Sequence, residues 1–149
     1  MQFTDTSERG FQKFITNYLV TEHHFIETTP AEFDRDFCIN TKQVLTFIEA
    51  TQKDAYEMIQ KKGERSFLVR LDEKIKELGV IEVLRKGVKH FDKTIELFYR
   101  KPSSSYNTKD AARYAANLFS VTQELVYSSD SANKNRLDLT IFLNGIPVI

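Results

Sequence analysis

The chain has 149 residues, a length that suits one domain with a sizeable core. Hydrophobic residues (41%) and charged residues (28%) occur in ordinary globular proportions. No run approaches the roughly 18 apolar residues of a membrane span. The 21 basic and 21 acidic residues cancel, so the net charge does not support tight non-specific DNA binding by this chain alone. The start lacks a signal-peptide pattern, and the single cysteine, Cys38, cannot form an internal disulfide, so we expect a cytoplasmic protein.

The first predicted element is an amphipathic helix. Its apolar residues recur at helical spacing: Phe11, Phe14, Ile15, Tyr18 and Leu19. Asp5, Thr6 and Ser7 are candidate N-caps, and the helix should end near residues 22–24. Glu8 falls in the first turn, where the helix dipole favours a negative charge.

A helical region should follow, after a loop or irregular segment at 25–40. In that loop we expect Cys38 to be a buried structural thiol, because no base that would activate it can be identified. Residues 41–62 predict one helix or two short ones. Residues 67–78 predict a further helix ending at Gly79, and a short helix should end at Gly87. We interpret residues 41–90, approximately, as a helical insertion without a catalytic pattern.

Alternating apolar residues predict strands at 93–100 and 118–127, with an alanine-rich helix at 108–117 between them. Thr108 or Asn107 is the expected cap of that helix. Asn117 and Gln123 stand at predicted strand edges, and their roles do not follow from the sequence. A polar connector at 128–135 leads into the last strand.

The segment at 136–149, Arg-Leu-Asp-Leu-Thr-Ile-Phe-Leu-Asn-Gly-Ile-Pro-Val-Ile, is the most informative part of the chain. Asp138 stands at the start of an apolar strand that runs into Asn144-Gly145, a pair suited to a two-residue hairpin turn. Four apolar side chains fall on one face of this strand, and Asp138 falls on the other with Thr140 and Phe142. The return strand begins at Ile146, and we expect it to continue in a longer protein.

These elements predict an α/β (α+β-like) fold. Its small mixed or antiparallel sheet would contain strands at about 93–100, 118–127 and 137–149, with 118–149 as a hairpin. The N-terminal helix and the helical insertion would flank the sheet, which would be incomplete at its C-terminal edge. We expect residues 1–149 to be the N-terminal part of one domain.

The Asp138 segment resembles the nuclease region of the restriction subunit of type I restriction–modification enzymes. In that family an aspartate opens a strand, an Asn-Gly-x-Pro turn follows, and the next strand ends in Glu-x-Lys. Leu137 stands where many members have proline, and the Glu-x-Lys half would lie just beyond Ile149. Similarity extends to the first helix, where Glu8 lines up with an acidic residue, and to the strand before Asp138.

The resemblance implies a PD-(D/E)xK nuclease core that cleaves double-stranded DNA with Mg²⁺. Asp138 and Glu8 would be its catalytic, metal-binding residues here. It also implies an ATP-driven motor elsewhere in the full-length protein, with methylation and specificity subunits as partners. Magnesium prefers carboxylate oxygens and water. A hairpin can bring acids on neighbouring strands together, because facing Cβ atoms lie about 4.5–5.5 Å apart.

Each candidate residue has a simpler alternative. Asp138 would then be a strand-end acceptor or a solvent-facing side chain, and Glu8 a first-turn glutamate. At the level of function, the alternative is a non-catalytic nuclease-like module that positions DNA or docks subunits. We expect the 149-residue piece itself to be inactive, because the Glu-x-Lys motif is missing from it.

Overall fold

The computed structural model describes residues 6–128, 132 and 135–149. Its helices are α1 (Glu8–His23), α2 (Thr41–Thr51), α3 (Lys53–Lys62), α4 (Glu64–Leu78), α5 (Val80–Lys86) and α6 (Thr108–Ala115), with a 3₁₀ turn at Pro30–Glu32. Its strands are β1 (Ile26–Thr28), β2 (Val88–His90), β3 (Lys93–Ile95), β4 (Phe119–Val126), β5 (Arg136–Leu143) and β6 (Ile146–Pro147). The fold is mixed α/β, as the sequence predicts.

The main sheet has four strands in the order β1-β4-β5-β6. Strands β4, β5 and β6 are antiparallel neighbours, as the hairpin predicted at 118–149 requires, whereas β1 pairs with β4 in parallel. The prediction of an irregular segment at 25–40 is therefore wrong for residues 26–28. The hydroxyls of Thr28 and Thr122 are 2.6 Å apart across this pair, and the Gln123 amide donates to Glu27 at 3.3 Å. Gln123 thus helps to join β1 to β4.

The prediction of a strand at 93–100 is mostly wrong. Only Lys93–Ile95 forms a strand, and it pairs with β2 in a separate two-stranded hairpin rather than in the main sheet. Beyond Ile95 the chain is held by amide side chains. The Gln52 amide accepts from the Glu96 N–H at 2.8 Å and donates to the Glu96 carbonyl at 2.7 Å. An alternating pattern did not distinguish this extended segment from a strand, because inward side chains such as Leu97 and Tyr99 are buried in both cases.

The helical predictions are confirmed in outline. Residues 41–62 form two helices, and Gly79 and Gly87 are the C-caps of α4 and α5. Asn107 caps α6 by accepting from the Asp110 N–H. Helices α2 to α5, together with Ile39, residues 88–99 and Ile146, build a hydrophobic core. Its largest fully buried members are Phe47, Phe67, Ile39, Ile48, Ile59, Leu71, Ile95, Leu97 and Ile146.

Helix α1 begins after Ser7, whose side chain accepts from the Gly10 N–H at 3.1 Å. It packs against β1 and β4, and its buried residues are polar, Gln12 and Thr16. The aromatic side chains of its apolar stripe are exposed: Phe11 by 63%, Phe14 by 68% and Tyr18 by 51%. An amphipathic helix ordinarily buries such a stripe, so the periodicity predicted the helix but not the side that packs.

Cys38 is exposed, which corrects the expectation of a buried thiol. Its backbone has a φ of 55°, and its Sγ–H donates to the Arg35 carbonyl at 3.6 Å. The next residue, Ile39, pairs with Asp34 in an isolated bridge and takes the buried position. The turn therefore places Ile39 in the core and leaves Cys38 in solvent.

Candidate active site

Asp138 is the third residue of β5, and it is exposed. Further along the same face, two and four residues beyond Asp138, Thr140 and Phe142 are buried. Among the residues that the structure describes, none forms a hydrogen bond or an ion pair with the Asp138 carboxylate. This carboxylate lies at the edge where a buried strand face meets solvent, and it is open to a ligand.

Across the hairpin, the position that faces Asp138 holds Glu124. Gln123 pairs with Leu139, and Leu125 pairs with Leu137, so Glu124 and Asp138 lie between these pairs on opposite strands, without forming a ladder pair themselves. Glu124 has a φ of 51°, in the left-handed region that non-glycine residues rarely adopt. Such backbone outliers cluster at functional sites. The sequence did not indicate Glu124, because the register depends on the connector between β4 and β5.

Two arginines from different elements share the Glu124 carboxylate. Arg9 Nη2 in α1 lies 3.6 Å from Glu124 Oε1, and Arg136 Nη1 in β5 lies 3.6 Å from Oε2. These contacts bring the first turn of α1 to the part of the hairpin that carries Asp138. Glu8 is the first residue of that turn and is exposed. The structure gives no direct contact between Glu8 and Asp138.

A shallow cleft of about 480 Å³ surrounds this ion pair. The cations that line it are Arg9 and Lys13 from α1 and Arg136 from β5, and among the described residues that line it the one acid is Glu124. The remaining lining residues are Pro30, Gln123 and Val126. Although the chain as a whole has no net charge, this cleft is positively charged.

Asp138 fits the chemistry of Mg²⁺ as one ligand, since its carboxylate is exposed and magnesium is usually held by one or two carboxylates, water and substrate phosphate. Within the described part of the chain, no three His, Cys, Asp or Glu side chains form a group that could hold a metal ion. A second protein ligand is therefore not assigned by geometry. Glu124 lies on the neighbouring strand, and Glu8 lies in the turn of α1 that Arg9 joins to Glu124.

The Asn144-Gly145 turn, at the opposite end of β5 from Asp138, attaches the hairpin to the helical core. Both residues have positive φ, 51° and 84°, as the predicted turn requires, and Leu143 pairs with Ile146. The Gly145 carbonyl accepts from the Asn40 N–H at 2.8 Å, at the N-cap of α2. The most specific part of the sequence motif thus fixes the hairpin to the helical core.

Asn117, whose role does not follow from the sequence, is buried beside this turn. Its amide donates to the Tyr99 carbonyl at 2.8 Å and accepts from the Tyr99 N–H at 3.2 Å. The Asn144 amide donates to Asn117 at 3.0 Å and to the Leu97 carbonyl at 2.9 Å. Asn117 therefore has a structural role.

In the parts of the chain that are described, no helix is long and apolar enough to cross a membrane. Comparisons with curated proteins and with solved structures gave no match. A family model described as "Type I restriction enzyme R protein N terminus" matches residues 17–149, which is most of the chain. The match includes β4, the β5–β6 hairpin and Asp138, and it starts after Glu8 and Arg9. The chain belongs to the family of type I restriction enzyme R protein N-termini.

Proposed function

We propose that this chain is the endonuclease portion of a type I restriction subunit. In the intact protein it would cleave double-stranded DNA with Mg²⁺, coupled to ATP-driven translocation, in a cytoplasmic complex with methylation and specificity subunits. The family membership supports this. The observation that carries it is the position of Asp138, which is exposed and unengaged among described residues beside a positively charged cleft.

In this proposal the Asp138 carboxylate binds Mg²⁺, and Glu8 in the first turn of α1 contributes to the same site. The metal, when bound, would activate water and stabilise the charge that develops on the scissile phosphate. Strand β5 keeps Asp138 in place through its pairing with β4. The buried neighbours Thr140 and Phe142 fix the strand beneath it.

Replacing Asp138 in the intact restriction complex tests the proposal. Asp138→Asn keeps the size of the side chain but removes the charge that a metal needs, so we expect DNA cleavage with Mg²⁺ to fall about 100-fold or more, since metal catalysis is worth several kcal/mol. ATP hydrolysis should persist. Asp92→Asn is the matched control, because Asp92 is also exposed but lies in the β2–β3 turn.

Glu8→Gln tests the second proposed metal ligand separately. Unchanged DNA cleavage by this variant would remove Glu8 from the proposed site.

We also propose that the 149-residue chain alone does not cleave DNA, because no Glu-x-Lys follows the Asn144-Gly145 turn within it. Purified chain, free of contaminating nuclease, should leave supercoiled plasmid intact in the presence of Mg²⁺. Cleavage that disappeared on Asp138→Asn would show this part of the proposal to be wrong.

The second candidate function is a non-catalytic module that positions DNA or docks subunits. Two observations favour it. The aromatic stripe of α1 is exposed, and the Asn144-Gly145 turn serves to attach the hairpin to the helical core. Under this alternative, Asp138→Asn would leave both cleavage by the complex and subunit assembly unchanged. Quantifying the subunits that co-purify with the variant, alongside its cleavage rate, separates the two candidates.

A further inference from the structure

Cationic side chains from two separate elements line the cleft beside Asp138. Arg9 and Lys13 are four residues apart on α1, so their side chains share one side of the helix. Arg136 reaches the same cleft from the start of β5. Lys13 has no carboxylate within ion-pair distance among the described residues. Among the described residues that line the cleft, three cations and the carboxylate of Glu124 give an excess of two positive charges.

The two arginines retain most of their capacity to bind an anion. At 3.6 Å, their contacts with Glu124 are longer than the 2.7–2.9 Å typical of charge-assisted hydrogen bonds. The side chains remain 73% exposed in Arg9 and 55% exposed in Arg136. Each guanidinium has five N–H donors, and exposed ion pairs contribute little to stability. An incoming phosphate can therefore bind both arginines without breaking a strong interaction.

The cleft lies where a phosphate next to the reacting one would pass. Arg136 and Asp138 are two residues apart in β5, so their side chains share a face of the strand. Their Cα atoms are about 6.6 Å apart, given a rise of about 3.3 Å per residue. That separation is comparable to the spacing of phosphates along a nucleic-acid strand. A strand held at Arg136 would thus reach Asp138 within about one nucleotide.

We propose that Arg9, Lys13 and Arg136 bind backbone phosphates of DNA and guide a strand towards Asp138. Glu124 holds the two guanidiniums in position when DNA is absent and weakens the attraction for phosphate by its own charge. This inference rests on the proposed function for its ligand. It adds the residues that contact the DNA backbone and a carboxylate that limits the affinity.

Binding of the 149-residue chain to a fluorescein-labelled 20-base-pair duplex, measured by anisotropy between 50 and 200 mM NaCl with EDTA present, tests the inference. The logarithm of the binding constant falls with the logarithm of salt concentration, by about 0.9 for each phosphate contact. The double variant Arg9→Gln/Arg136→Gln should reduce this slope by about two. Lys13→Gln should reduce it by about one, and this substitution leaves the Glu124 ion pairs intact.

The chain offers a matched control in α5, where Arg85 and Lys86 share the carboxylate of Glu82 at 3.4 and 2.9 Å. The double variant Arg85→Gln/Lys86→Gln removes the same total charge and should leave the slope unchanged. Glu124→Gln should tighten DNA binding, since it releases two guanidiniums and removes a repulsive charge, whereas Glu82→Gln should have less effect. Circular dichroism establishes that each variant is folded.

Several outcomes would overturn the inference: no DNA binding by the parent chain at 50 mM NaCl, equal slopes for the cleft and control variants, or weaker binding by Glu124→Gln. A decaglutamate peptide that bound more tightly than the duplex would instead indicate an acidic protein partner. These assays contain no metal and detect no cleavage. Their failure would therefore leave the test of Asp138 untouched, and unchanged cleavage by Asp138→Asn would leave the phosphate contacts standing.

Discussion

Gly145 packs so closely against the N-terminal end of α2 that a residue with a Cβ atom would not fit there. A Cβ atom at this position would lie 2.5 Å from the Asn40 carbonyl oxygen and 2.8 Å from the Val44 nitrogen, and its φ is +84°. We expect Gly145→Ala to lower the free energy of unfolding by about 2–4 kcal/mol, through overpacking and backbone strain together. Urea denaturation measures this change.

Gly79 provides the control for that substitution, because its φ is nearly the same, +82°, and nothing lies within 4 Å of an added Cβ. Gly79→Ala should cost about 1–3 kcal/mol, from backbone strain alone, because a φ of 82° with a ψ of 160° is a conformation that essentially only glycine adopts. Equal costs at the two glycines would show that close packing of the turn against α2 is unimportant.

Because His90 is buried in its neutral form, we expect the free energy of unfolding to fall at acid pH. Its ring is buried between Phe67 and Phe91, and its Nε2 has no hydrogen-bond partner among the described residues. Burial, and secondarily the charge of Arg70, lower the pKa of His90 below its ordinary value of 6.5. The unfolded chain then binds the proton more tightly than the folded chain does. The contribution to stability is therefore complete above pH 6.5 and is lost as the pH falls below it.

Unfolding by urea at pH 7.5 and at successive values below 6.5 measures this dependence. His90→Leu should show a smaller loss of stability on acidification than the parent chain, since it retains the buried apolar contacts but cannot be protonated. The exposed His23 and His24 are present in both proteins and cancel in the comparison. Identical pH dependence in the two proteins would exclude His90 as the group responsible.

The residues of the candidate site were predictable from the sequence only in part. Asp138 and the Asn144-Gly145 turn stand in a local motif, whose chemistry and turn geometry depend on neighbouring residues. Glu124, Arg9 and Arg136 come together through strand register and helix packing, which are set by contacts distant in sequence. No local pattern indicates such contacts, and the strain at Glu124 is visible only in the folded chain.

At the scale of elements, helix α1 shows the limit of hydrophobic periodicity. The aromatic residues at positions 11, 14 and 18 predict a helix, and a helix forms, but the side that packs contains Gln12 and Thr16. Phe14→Ser should therefore change the free energy of unfolding by less than about 0.5 kcal/mol, as for other surface substitutions. Phe47→Ala, in the buried core, should cost about 3–5 kcal/mol.

Urea denaturation of the two variants at the same pH provides the comparison. A cost of several kcal/mol for Phe14→Ser would mean that the aromatic side of α1 is buried in solution. That result would mean that the opposite side of the helix packs against the sheet, and it would also alter the position of Arg9, which lies in the first turn of the same helix.

For the whole molecule, amide side chains connect the sheet to the helical core. Gln52 binds both backbone groups of Glu96, Asn144 binds the Leu97 carbonyl, and Asn117 binds both backbone groups of Tyr99. These bonds replace the strand partner that the alternating pattern at 93–100 had indicated. A sequence pattern can predict an extended segment, but whether a neighbouring strand or a side chain completes its hydrogen bonds depends on the tertiary fold.

Asn117 and Asn144 should consequently be energetically coupled. Asn117→Ala leaves the Tyr99 N–H and carbonyl without their bonds in a buried site, and we expect a loss of about 2–4 kcal/mol. Asn144→Gly removes the second amide and still allows the positive φ of 51°. Because the two amides bond to each other, the double variant should be more stable than the sum of the single effects predicts, by about 0.5–3 kcal/mol.

The exposed helix cap Asn107 is a suitable control, since Asn107→Ala should cost only about 1 kcal/mol and should add to the effect of Asn144→Gly without coupling. Equilibrium unfolding in urea of the single and double variants completes both cycles. Additivity of Asn117→Ala and Asn144→Gly within about 0.5 kcal/mol would show that the two amides act independently. Coupling confined to the Asn117–Asn144 pair would identify their contact as the connection through which the hairpin carrying Asp138 is fixed to the rest of the fold.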